Sequence, residues 1–368
     1  MRLKPSVVAQ ASSVKLRGKL AQYAESCGWV LCIGAGTSRG VFPCWNDLAK
    51  VMLSKTSLKC GKADIERFLQ AYGPEALMQV ANNLLGENSD ETIVECLSEA
   101  FYGHLRDRVG DSWRTFAKAL TSSRPSNLTK DEWEVFESKV SEIADSSAPL
   151  LAQEIAKSIS TDAQPAAILS FNAEPLLYAL INCYYGLTHP ECLRRDGPKI
   201  LDRLSHDLAS RTRGRIPYYY VHGLLPVPSG RDRFNDSISP DKLVFTEGQY
   251  LNLSRSSYSW QSATFLSSCI HHRCVFVGLS FSDPNLRRWL SWEYGGRTEQ
   301  RVKKGLSTKR PSHLWITKKP SGGDCTGDHA AILLEKSVEH LGVRVVWIDD
   351  YCEVGTKLHE LLDAKEET

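Results

Sequence analysis

The sequence predicts an α/β protein with a doubly wound parallel sheet and an α-helical insertion. The prediction rests on short apolar runs that stop at glycine or a small polar residue, amphipathic stretches of helical length between them, and an interval of about 100 residues with helical periodicity and no such runs.

The first run, "WVLCIGAG" from Trp29, suits a strand buried on both faces of a parallel sheet. "AAILSFN" (Ala166 to Asn172), "YYYVHG" (Tyr218 to Gly223), "CVFVGLS" (Cys274 to Ser280) and "VRVVWID" (Val343 to Asp349) read the same way, and "HLWIT" near residue 315 adds a further strand. Between them "EPLLYALINCYYG", "PKILDRLSHDLASR", "GQYLNLSRSSYSWQSATFLSSCI" and "DPNLRRWLSWEY" read as helices. In such sheets ligands bind beyond the carboxyl ends of the strands, where "GAG", Asn172, His222 and "GLS" all fall. From about 60 to 160 the pattern is helical throughout, and Thr129 followed by Glu132 has the spacing of a capping box.

Composition narrows the function classes. The chain has 368 residues with 42% hydrophobic content, enough for one large α/β domain with an insertion or for two domains. Its 45 basic and 43 acidic residues give a net charge of +2, so no direct nucleic-acid binding is expected. The densest basic run, Arg297 to Arg310, reads as a solvated loop. No apolar run approaches the roughly 20 residues of a membrane-spanning helix. The opening "MRLKPSVVAQASSV" is too polar for a secretory signal, so a cytoplasmic location is expected. The 11 scattered cysteines read as reduced thiols rather than a disulfide framework.

The chemistry-bearing residues sit at the predicted strand ends. Gly34, Ala35 and Gly36 follow the first strand, where glycine permits close approach and lets N–H groups face a pyrophosphate. Arg39 stands where a dinucleotide-dehydrogenase fingerprint has its third glycine, and no G-x-x-x-x-G-K-[ST] occurs. Gly40, Pro43 and Trp45 then interrupt any immediate helix; the loop could cover a dinucleotide, or Trp45 and Leu48 could simply anchor the core. Asn172 is either a helix cap or an amide that orients a ribose hydroxyl or an attacking water. His222, before Gly223, is either a structural histidine or a general base that titrates near neutrality. Gly278 and Ser280 form a turn before a helix that Asp283 can cap, whose first N–H groups could meet a ribose or phosphate.

Together, Gly34, Ala35, Gly36 and Ser38, then Pro43 and Trp45, Asn172, His222 and Gly223, and the "F-x-G-x-S-x-x-D-x-x-L" of Phe276, Gly278, Ser280, Asp283 and Leu286 resemble the sirtuin-like (SIR2-like) NAD hydrolases of bacterial antiviral defence. Glu174 stands where that family usually has Asp. The resemblance covers residues 29 to 50 and 166 to about 362. It implies a Rossmann-like, sirtuin-type fold, with residues 1–60 and 161–368 forming the NAD-binding catalytic domain and 61–160 the α-helical insertion.

The implied activity is hydrolysis of the nicotinamide–ribose bond of NAD+, giving nicotinamide and ADP-ribose, as the NAD-depleting effector of an anti-phage system. Asn172 and His222 carry the chemistry. Gly34, Ala35, Gly36 and Ser38 hold the pyrophosphate, Ser280 and Asp283 contact the adenosine side, and Glu174 and Gly278 complete the NAD site. NAD+ is the substrate, and no metal is implied, because the two cysteine pairs of the deacetylases' zinc ribbon are missing after His222. Implied partners are a homo-oligomer, a HerA-type ATPase or another phage-sensing protein. Other readings are an NAD- or ADP-ribose-sensing module without catalysis, an ADP-ribosyltransferase and a deacylase.

Overall fold

The structure, a computed structural model, describes residues 28–88, 93–143, 147–204, 214–236, 238, 242–255, 259–305, 312–320 and 326–363. The start of the 1–60 segment, Cys27, Cys325, residues 205–211 of an expected helix and 306–310 of the basic run lie outside them.

Seven strands, β1 (Trp29–Ile33), β2 (Ala167–Ser170), β3 (Leu201–Leu204), β4 (Ile216–Tyr220), β5 (Arg273–Val277), β6 (His313–Lys318) and β7 (Val343–Ile348), form one sheet in the order β3-β4-β2-β1-β5-β6-β7. Every pairing is parallel. This is an α/β Rossmann-like fold. Helices on both faces explain why the strands read as unbroken apolar runs: alternate residues serve two cores. Leu31, Ile33, Ile168, Tyr218, Tyr220, Val275 and Val277 face one core, and Val30, Cys32, Leu169, Tyr219, Cys274 and Phe276 face the other.

The helices are α1 (Trp45–Ser54), α2 (Lys62–Asn88), α3 (Ile93–Val109), α4 (Trp113–Leu120), α5 (Lys130–Ile143), α6 (Ala148–Ser160), α7 (Leu176–Thr188), α8 (Asp232–Asn235), α9 (Glu247–Arg255), α10 (Trp260–His271), α11 (Pro284–Lys303), α12 (Thr326–Glu339) and α13 (Val354–Leu362). Residues of α1 to α7 and of α13 join the first sheet face in one hydrophobic cluster. Phe265 of α10, Leu286 and Trp289 of α11 and Val338 of α12 cover the second.

Local signals explain several boundaries. The capping box at the start of α5 is formed: Glu132 N donates to Thr129 Oγ1 at 3.2 Å, and Thr129 N donates to Glu132 Oε2 at 2.9 Å. α2 is kinked where Gly73, at φ +82°, precedes Pro74, which cannot donate a helical hydrogen bond. The expected long helix from Gly248 is two helices, and the second starts where Ser259 Oγ accepts from Ser262 N at 3.1 Å.

Two expectations about elements are corrected. Arg297–Lys303 of the basic run, expected as a solvated loop, form the last turns of α11. "PKILDRLSHDLASR" was expected to be helical, but its residues Leu201–Leu204 are edge strand β3. Pairing with β4 overrides local propensity here: Leu201 lies opposite Ile216, and Asp202 is held by Lys199 at 3.1 Å and Arg215 at 3.3 Å.

Candidate functional site

Strand register assembles the site. Ile33 is level with Ser170 and with Val277, and Ser170 is level with Tyr220. The residues just past those ends, Gly34, Asn172, His222 and Gly278, therefore meet along one edge of the sheet. That edge is the carboxyl end, at the point where the strand order reverses: β1 is followed by β2 on one side, and the chain crosses from β4 to β5 on its other side. A cavity of about 590 Å³ opens there, within the range of small-molecule sites. All ten candidate residues line it: Gly34, Ala35, Gly36, Ser38, Asn172, Glu174, His222, Gly278, Ser280 and Asp283.

The glycines serve close packing of two turns. Gly34 N donates to Val277 O at 3.0 Å and Gly36 N to Gly278 O at 2.9 Å. A Cβ on Gly36 would lie 2.9 Å from Gly278 Cα, and one on Gly278, at φ +68°, would lie 2.5 Å from Thr37 N. The expectation that these N–H groups face a phosphate is corrected for Gly34 and Gly36, whose amides are taken by the end of β5. Both Ala35, which is exposed, and Ser38, which is buried, line the cavity.

Asn172 sits at the centre of a buried network. Its Nδ2 donates to Glu174 Oε1 at 3.1 Å, Thr37 Oγ1 at 3.2 Å and Ser38 Oγ at 3.5 Å. Its own amide N donates to Ser170 Oγ at 3.1 Å. The carbonyl Oδ1 is buried without a hydrogen-bond partner. Glu174 Oε2 accepts from Leu176 N at the start of α7, so this acid, not Asn172, meets the first turn of the helix. Burial raises the Glu174 carboxyl above its ordinary value, against the pull of Leu176 N, Ser38 and Asn172.

His222 is 7% exposed, and its ring is boxed edge-on by Phe171 and Tyr250, at centroid distances of 5.3 and 5.4 Å. Nε2 has no hydrogen-bond partner. Burial pushes the imidazole below its ordinary value, opposed by the Asp283 carboxylate and a backbone hydrogen bond to Phe171. The ring is therefore neutral at neutral pH, as a general base must be before it acts.

The β5 turn carries Phe281, a non-glycine residue at φ +58° that is buried against Phe276 and Trp315. Packing holds this strained conformation next to the cavity. Ser280 Oγ and Ser282 Oγ are 2.6 Å apart. Asp283 Oδ1 caps α11 by accepting from Asn285 N at 2.8 Å and Leu286 N at 3.4 Å. Its Oδ2 lies 3.8 Å from His222 Nε2. Asp283 thus stands against the histidine.

Several wall residues escaped the sequence reading. Thr37 Oγ1 donates to Gly34 O at 2.8 Å and accepts from Asn172. Glu75, Phe101 and Tyr250 line the cavity from α2, α3 and α9. The Gly73-Pro74 break was a legible cue for Glu75, whereas nothing in the sequence singles out Tyr250. Of the two loop anchors, Leu48 is fully buried, while Trp45 lines the cavity and its Nε1 donates to Glu75 Oε1 at 2.9 Å.

Among the described residues, no group of three or more His, Cys, Asp or Glu is placed to hold a metal. Cys269 and Cys274 face each other at 3.5 Å in the core, and His313 Nδ1 accepts from Cys274 N. Also among the described residues, no helix is long and apolar enough to cross a membrane.

The chain is thus a Rossmann-like protein with a cavity of small-molecule size at its topological switch point. The family described as SIR2-like domain matches residues 189–341, a span from before β3 through α12 that includes His222 and the turn from Gly278 to Asp283. This match supports the SIR2-like family and an NAD-related activity. No curated protein matches the chain.

Proposed function

We propose that the protein is an NAD+ glycohydrolase that cleaves the nicotinamide–ribose bond to give nicotinamide and ADP-ribose. One observation carries the reading: Asn172 Oδ1 and His222 Nε2 are buried acceptors without donors, at neighbouring strand ends of one cavity. Buried acceptors left unpaired cost free energy, and ribose hydroxyls or a water supply the missing protons.

In this reading the C1′–N bond breaks and nicotinamide leaves with the electron pair, which neutralises its ring. The ribose carbon takes on oxocarbenium character. Water attacks C1′ while Asn172 Oδ1 orients it, and its proton passes to His222 directly or through a ribose hydroxyl. Gly34, Ala35, Gly36 and Ser38 shape the pyrophosphate end by close approach, with Ser280 beside them. Residues 1–60 and 161–368 are the catalytic domain, and the insertion 61–160 supplies Glu75 and Phe101 to the cavity wall. Following the resemblance, NAD+ depletion serves anti-phage defence in the cytoplasm, controlled by homo-oligomerisation or by a HerA-type ATPase or other phage-sensing partner.

The test is product analysis after incubating the purified protein with NAD+, alone and with a co-expressed partner. Nicotinamide and free ADP-ribose should appear in equal amounts. Asn172→Ala and His222→Ala should each lower cleavage by about a hundredfold or more while the proteins remain folded. Undiminished turnover in both variants would overturn the assignment, and modified protein in place of free ADP-ribose would replace hydrolysis with transfer.

A further inference from the structure

The Asp283 carboxylate is divided between two tasks. Oδ1 is committed to the first turn of α11 through Asn285 N and Leu286 N. Pro284, which has no N–H, occupies the first helical position. With Oδ1 fixed by the helix, Oδ2 is held toward the His222 ring at 3.8 Å. The ring has little freedom to turn away, because Phe171 and Tyr250 close on it at interplanar angles of 87° and 74°.

We propose that Asp283 is the positioning residue for His222, aiming the imidazole and balancing the proton it takes up during the reaction. This rests on the NAD+ hydrolase reading, but one of its tests does not. A carboxylate 3.8 Å from a neutral imidazole makes no hydrogen bond. Once the ring is protonated, the same pair becomes a buried ion pair, so the interaction strengthens as the proton arrives. The water O–H bond breaks, its proton joins the ring nitrogen, and the oxygen bonds to C1′ as nicotinamide departs with the glycosidic electron pair. The positive charge then left on His222 lies against Asp283.

Among the described residues, Asp283 is the carboxylate that acts on the ring, and two other ionisable groups of the cavity wall do not supply this charge. The Tyr250 phenol, on α9, is pushed well up by burial and stays neutral. Glu75, on α2, acts on Tyr250 and accepts from Trp45 Nε1. Asp283 opposes the effect of burial on His222.

The test uses Asp283→Asn and Asp283→Ser, both of which keep a capping oxygen and lose the charge. The His222 ring is titrated by NMR without NAD+, its signal identified by its loss in His222→Gln. The midpoint should fall to lower pH in both variants, with thermal stability close to wild type. Superimposable titration curves would overturn the proposal. In turnover, kcat should fall about tenfold with KM little changed, and the acid limb of the kcat profile should move to lower pH. An unmoved acid limb would also count against it. Should wild-type protein fail to cleave NAD+ under every condition, the hydrolase reading fails, and the NMR comparison still decides whether Asp283 governs His222.

Discussion

Asn172 Nδ2 donates to Glu174 Oε1 across 3.1 Å, and this bond fixes which way the asparagine amide faces. A carboxylate accepts but cannot donate, so the NH₂ group must point toward Glu174, Thr37 and Ser38. Oδ1 is left as the unpaired atom, so in the proposed hydrolase Asn172 offers the ligand an acceptor.

Asn172→Ala should therefore lower kcat for NAD+ cleavage by about a hundredfold while leaving NAD+ affinity within a few-fold of wild type. Single-turnover kinetics and calorimetric binding separate the two effects. Loss of binding in step with loss of turnover would mean that Asn172 holds the ligand rather than the water.

Glu174 makes stability depend on pH. Burial raises its folded-state value above the ordinary 4.5, so the folded protein holds the proton more tightly than the unfolded chain. Its contribution is fully present below pH 4.5 and is lost as pH rises through the raised value. Urea midpoints measured upward from pH 4.5 should carry this downward component, and Glu174→Gln should remove it. Parallel pH curves for the two proteins would show that Glu174 does not titrate differently on folding.

Much of this arrangement was legible because it is written in strand ends. "WVLCIGAG", "AAILSFN" and "CVFVGLS" each combine an unbroken apolar run with an abrupt small or polar stop, and the register of a parallel sheet then aligns the stops. β3 was not legible, because Ile200, Leu201 and Leu204 fit a helical spacing as well as a short strand, and only pairing with β4 decides between them. Tyr250 and Phe101 reach the cavity through tertiary packing of helices whose sequences carry no mark of it. The glycine turn gave the right place for a different reason: the residue type was readable, but its need came from the neighbouring Gly278 turn.

That packing gives Gly278→Ala a large expected cost. At φ +68° a side chain is strained, and its Cβ would stand 2.5 Å from Thr37 N and 2.8 Å from Thr37 Cγ2. Backbone strain and overpacking together should destabilise the protein by about 2 to 4 kcal/mol and displace the hydroxyl that Asn172 bonds. Gly305→Ala is the control: it also has positive φ, at +64°, but nothing lies within 4 Å of its Cβ. It should lose about 1 kcal/mol. Equal losses in denaturant unfolding would show that backbone strain alone matters at Gly278.

The loop after the glycine turn is tethered from the helical region. Arg108, in the last turn of α3, donates through Nη1 to Gly40 O and through Nη2 to Ile143 O, the latter at 2.8 Å. Gly40 lies between Ser38 and the pair Phe42 and Pro43, all of which line the cavity, so this guanidinium links the end of α5 to the position of that loop. The bonds are solvent-exposed, and their loss should scarcely change global stability. A loop free to open must be ordered again each time a ligand binds, which lowers apparent affinity. Arg108→Ala should raise KM for NAD+ about fivefold with kcat near wild type, corresponding to roughly 1 kcal/mol of binding. Arg108→Lys should recover little of the loss, because one ammonium cannot reach both carbonyls in the guanidinium's fork geometry. An unchanged KM in both variants would show that the loop holds its place without Arg108.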